Sequence, residues 1–71
     1  MSETEAATIA ARVAEQNGEH LADYQSPIVS FDSATGEWWF WYHLKPPEPP
    51  GGHFGVRIKD ATKEARFIPG E

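Results

Sequence analysis

Glu37-Trp38-Trp39-Phe40-Trp41-Tyr42-His43-Leu44 is the stretch on which the fold turns. Aromatic side chains lose rotamer freedom in a helix and fit a pleated surface well, so this run predicts a strand. Before it, Pro27 to Asp32 reads as a second strand, with Ser33-Ala34-Thr35-Gly36 as the turn between them. After it, Lys45 to Gly52 contains four prolines and two glycines and is excluded from regular structure. His53 to Lys59 reads as a third strand, Asp60 to Lys63 as a turn and Glu64 to Ile68 as a short last strand.

The hairpins carry similar turns, Asp32-Ser-Ala-Thr-Gly-Glu and Asp60-Ala-Thr-Lys-Glu, which sets their register. With four residues in each turn, Phe31 opposes Trp38, Val29 opposes Phe40, Ile58 opposes Ala65 and Val56 opposes Phe67. Opposed residues share a face. One face then collects Val29, Phe31, Trp38, Phe40, Tyr42, Phe54, Val56, Ile58 and Phe67. The other collects Ile28, Ser30, Trp39, Trp41, His43, Gly55, Arg57, Lys59, Arg66 and Ile68. A slip of one residue would turn a whole strand over.

Upstream, residues 3 to about 16 predict a helix. Ser2 and Glu5 have the spacing of a capping box. Ala6, Ile9, Ala10 and Val13 form a narrow apolar stripe whose small members permit close approach to a sheet. Asn17-Gly18 is the stop. Residues 19–26 form a connector with room for one helical turn that docks Leu21. The expected architecture is α+β: one helix on a four-stranded antiparallel sheet of two hairpins, in a single domain spanning residues 1–71.

The helix covers one face, and it is assigned to the Phe31/Trp38/Phe40/Val56/Phe67 side. That leaves Trp39 and Trp41 outward with Arg57, Arg66 and His43. Tryptophan and arginine dominate binding hot spots, and monomers seldom leave such a patch bare. The competing reading is that the proline run 46–50 folds back over the tryptophans.

The net charge of −5 argues against nucleic acid as a partner. Residues 1–24 hold five acids against one base, so an acidic helix bearing Glu15, Glu19 and Asp23 is a second candidate contact surface, suited to a basic toxin or enzyme. There is no cysteine, hence no disulfide and no thiolate metal site. His20, His43 and His53 match no metal-ligand spacing, and Asp32, Glu37, Asp60 and Glu64 read as turn residues rather than an acid–base pair. No catalytic residue, cofactor or metal is assigned. The acidic start lacks the pattern of a signal peptide and no stretch is long enough for a membrane span, so a cytoplasmic protein is expected.

The layout of residues 5–71 resembles two related groups. The elements that carry the resemblance are an N-terminal helix, Val29-Ser-Phe-Asp-Ser-Ala-Thr-Gly-Glu-Trp-Trp-Phe40, Pro49-Pro-Gly-Gly-His-Phe-Gly-Val-Arg-Ile-Lys-Asp60 and Ala65-Arg-Phe-Ile-Pro-Gly-Glu71. The chain is similar in these to the short NTF2-like immunity proteins of bacterial toxin systems and to the PepSY-like small domains. The resemblance implies a non-enzymatic binder that neutralises a toxin or other enzyme, with no fixed contact residues to carry over. The alternatives kept open are a self-associating accessory module, dimeric through the tryptophan face or through strand edges, and a carbohydrate- or peptide-binding module.

Overall fold

The structure, a computed structural model, describes residues 1–46 and 52–70. Helix α1 (Glu3–Gln16) is followed by a 3₁₀ turn (Leu21–Asp23) and four strands: β1 (Ile28–Asp32), β2 (Glu37–His43), β3 (His53–Lys59) and β4 (Ala65–Ile68). The strands form one antiparallel sheet in the order β1-β2-β3-β4. This is the α+β arrangement that the aromatic run predicts.

Both hairpins take the predicted register, with Phe31 opposite Trp38 and Val56 opposite Phe67. Their turns are built alike. The fourth turn residue is left-handed in each, Gly36 at φ 70° and Lys63 at φ 64°. Each donates its backbone N–H four residues back, Gly36 to Asp32 and Lys63 to Lys59, both at 2.7 Å. The Asp32 carboxylate holds the first turn by accepting from Ala34 N at 2.9 Å.

Helix α1 starts where Ser2 Oγ accepts from Glu5 N at 3.1 Å. The reciprocal half of the capping box is replaced, because the Glu5 carboxylate reaches Lys63 Nζ at 2.8 Å and ties the helix to the second turn. Gly18 at φ 85° follows the Asn17 cap. Ala6, Ala10 and Ala14 are fully buried against Phe40, Tyr42, Phe54, Val56 and Ile58. The ring of Tyr42 stacks on Phe54 at 4.6 Å, and Tyr24 meets Phe54 edge-on at 4.9 Å.

The helix lies over β3, β4 and the adjacent part of β2, and its backbone stays clear of β1. Phe31, placed by the sequence on the covered face, therefore stays 47% exposed, leaning on Trp38 at 4.9 Å. The 3₁₀ turn docks Leu21 as expected, and Tyr24 bridges to Leu44 beyond the end of β1.

Candidate functional site

The sheet face opposite α1 is the one that carries Trp39 and Trp41. Its rows across the strands are Ile28–Trp41–Gly55–Ile68, Ser30–Trp39–Arg57–Arg66 and, toward the turns, Asp32–Glu37–Lys59. His43 and His53 close the other end, with ring centroids 6.0 Å apart.

Two tryptophans on one strand at i and i+2 stand side by side on one face. Here they stack, with centroids 5.4 Å apart and planes 17° from parallel. Trp41 leans toward β3, into the gap that Gly55 leaves open. A Cβ at position 55 would lie 2.9 Å from the Trp41 ring. The Arg57 guanidinium carbon sits 4.1 Å from the Trp39 ring centroid, a cation–π contact. The Glu37 carboxylate accepts from Arg57 Nη2, one step diagonally along the sheet. A ladder of Trp41, Trp39, Arg57 and Glu37 results, each member held by the next. Arg57 Nε is covered and has no acceptor among the described residues.

The residues expected from the sequence thus separate. Trp39, Trp41, Arg57 and His43 gather on one face, half-buried, with Arg66 exposed at the β4 side. Glu15, Glu19 and Asp23 do not form one acidic helical face. Only Glu15 lies on α1; Glu19 follows the helix and Asp23 ends the 3₁₀ turn. The Glu19 carboxylate accepts from Tyr24 Oη at 2.9 Å, so it is engaged in holding the connector. The helix boundary at Asn17-Gly18 divides this set. The proline run 46–50 as a cover for the tryptophans falls almost wholly on residues 47–51, outside the described residues.

Glu37 is the member of the site that the sequence pattern places in a turn role. The signal available was its diagonal relation to Arg57 across β2 and β3. Asp60, the other turn acid with a specific role, accepts from Trp38 Nε1 at 3.0 Å and lies 3.3 Å from the amino-terminal nitrogen. The Trp38 hydrogen bond, followed by the terminal ammonium, lowers its pKa below the ordinary aspartate value. Among the described residues no three metal-ligating side chains come together. No helix among them is long and apolar enough to cross a membrane.

Comparison with protein-family models, curated proteins and solved structures found no match. The chemistry of this face therefore has to be read from its own residues. It offers apolar ring edges at the centre, a fixed guanidinium beside them, and an exposed arginine at the rim.

Proposed function

We propose that the protein is a small non-enzymatic binder that works by covering a surface of a partner protein, as an immunity-type inhibitor does. The observation that carries this reading is the Trp41–Trp39–Arg57–Glu37 ladder. A tryptophan pair free to rotate would lose entropy on binding. A pair already stacked, seated over Gly55 and braced by Arg57 loses little. The partner best suited has an apolar knob for the tryptophans and an acidic group within reach of Arg66. One face of each ring is turned to the other tryptophan and the Arg57 guanidinium lies on Trp39, which leaves little open ring face for a stacked sugar and favours a protein partner.

The test is photo-crosslinking from position 66, identification of the captured protein, and titration of that purified protein with wild type and a Trp39→Ser/Trp41→Ser variant. Two hot-spot residues at ~2 kcal/mol each predict a loss of about a thousandfold in affinity. Neutralisation of the partner's activity at one-to-one stoichiometry is the expected consequence. Equal affinity of the two proteins would sink the reading.

A further inference from the structure

The sheet has two edges, β1 and β4, and they are built differently. Natural edges are blunted by charge, proline, bulges or brevity. Strand β4 is four residues long, carries Arg66 and is followed by Pro69. Strand β1, Ile-Val-Ser-Phe-Asp, is one residue longer and pairs with β2 without a bulge; Pro27 precedes it and Asp32 closes it, but the stretch between, Ile28 to Phe31, holds no charge and no proline. It also holds the large hydrophobic residues that remain exposed among the described residues, Ile28 at 62% and Phe31 at 47%. These two point to opposite faces of the sheet. A partner docked on either face borders one of them, whereas a strand added at the edge borders both.

The backbone agrees. In an antiparallel strand alternate residues direct both N–H and C=O to the same side. The Asp32 carbonyl accepts from Gly36 N, inside the hairpin. Asp32, Ser30 and Ile28 therefore face β2, and Val29 and Phe31 present their N–H and C=O groups to the open edge. Two donors and two acceptors at i and i+2 match a second such strand running antiparallel.

We infer that the β1 edge pairs with the β1 edge of a second copy about a two-fold axis at Ser30, joining two four-stranded sheets into one of eight strands. In that register Val29 of each copy opposes Phe31 of the other, twice, as hydrogen-bonded pairs on the α1 side. A β-branched residue beside an aromatic is a favourable cross-strand pair. Ser30 meets its own counterpart, and Ile28 lies beside Asp32 and Ser30 of the second copy. Because α1 stays over β3 and β4, it does not obstruct the approach. The axis is perpendicular to the sheet, so the two tryptophan faces end on the same side. The pairing itself uses none of Trp39, Trp41, Arg57 or Glu37, so it stands or falls apart from the binding role given to that face.

The chain has no cysteine, which makes a single introduced thiol a clean probe. Directly opposed residues of a non-hydrogen-bonded pair have Cα atoms ~4.5 Å apart, within disulfide range. Ser33, three residues from the axis, would lie about 20 Å from its counterpart at ~3.4 Å per residue. Under mild oxidation Ser30→Cys is expected to form a covalent dimer at least about ten times faster than Ser33→Cys, since only the first pair can meet. Sedimentation should bring the wild type to twice the 7.9 kDa chain mass as concentration rises. Phe31→Lys should weaken association by about tenfold or more, and Trp39→Ser/Trp41→Ser should leave it unchanged. A wild type that stays monomeric at every concentration overturns the pairing. So do equal crosslinking rates at positions 30 and 33, or association that survives Phe31→Lys and is lost with the tryptophans. Circular dichroism checks the fold of each variant, and if Phe31→Lys is unfolded the two crosslinking rates decide.

Discussion

At the scale of single residues, Gly55 is the position on which the site depends most closely. Its missing side chain is the space into which Trp41 leans, and Trp41 in turn sets the stack with Trp39. The obstacle to a methyl there is a ring on a rotatable side chain rather than backbone, so the ring must move and the sheet can stay. Gly55→Ala is expected to keep the fold at a cost of ~1–2 kcal/mol, as overpacking does, and to separate the two rings. The readout is the coupled tryptophan signal in near-ultraviolet circular dichroism, which should fall while the far-ultraviolet spectrum is retained. An unchanged signal would mean that Gly55 does not seat Trp41. The same ladder predicts that Arg57→Lys weakens the site, because an ammonium lacks the planar group that lies on Trp39 and reaches Glu37. Much of this was legible from alternation alone. Once Phe31 is set opposite Trp38 and Val56 opposite Phe67, with the two apolar faces on one side, Trp39, Trp41 and Arg57 fall together on the other. The stacking of the rings was not legible, because it depends on side-chain torsions that spacing does not determine. Gly55 did carry a signal of its own: a glycine inside a strand marks a place where another group comes close.

At the scale of elements, the helix and the second turn are joined by charge as well as by packing. Lys63 donates to Glu5, and Asp60 accepts from Trp38. Hydrogen bonding to Lys63 and its charge lower the Glu5 pKa, and Asp60 is lowered by Trp38 and the terminal ammonium. Carboxylates with depressed folded values add stability that is complete above their unfolded pKa and is lost as pH falls through the folded one. The acid limb of a denaturation-midpoint profile should therefore decline below about pH 4. Glu5→Gln should flatten part of that decline. Exposure of the Glu5–Lys63 pair keeps the effect small, and added salt should reduce it further. Packing between helix and sheet contributes more than these charges do. Ala10 is fully buried there, so Ala10→Leu is expected to cost ~1–3 kcal/mol by overpacking, measured as a shift in urea midpoint. A neutral result would show that the helix can lift without penalty. The alanine stripe made the helix and its inward face readable in advance. It did not reveal the lateral position of α1 over β3 and β4, because a stripe fixes which side of a helix faces a sheet and not which strands lie beneath it. The exposure of Phe31 follows from that position, and with it the open edge.

At the scale of the whole molecule, a chain of 71 residues without a disulfide rests on a small core of Phe40, Tyr42, Phe54, Val56, Ile58 and three alanines. Domains of this size are marginal, so covering Ile28 and Phe31 in a second copy would add to stability as well as create a larger sheet. Coupling of folding to association has a signature that a monomer lacks. For a dimer that unfolds to two chains, mass action raises the stability of the native state with total concentration. Each tenfold increase contributes about 1.4 kcal/mol per dimer, or ~0.7 kcal/mol per chain. For a domain of this length that corresponds to a rise in Tm of about 3–5 °C. Wild type should show this slope above its association midpoint, and Phe31→Lys should show none, its Tm staying that of the isolated domain. Trp39→Ser/Trp41→Ser should keep the slope, with any change in Tm equal at every concentration, because the tryptophans stand on β2, one strand in from the edge, with Trp41 leaning toward β3, and make none of the pairing contacts. Calorimetric or fluorescence melts across two decades of concentration separate these outcomes. A flat wild-type line would show that the domain is stable alone, with its β1 edge open to solvent.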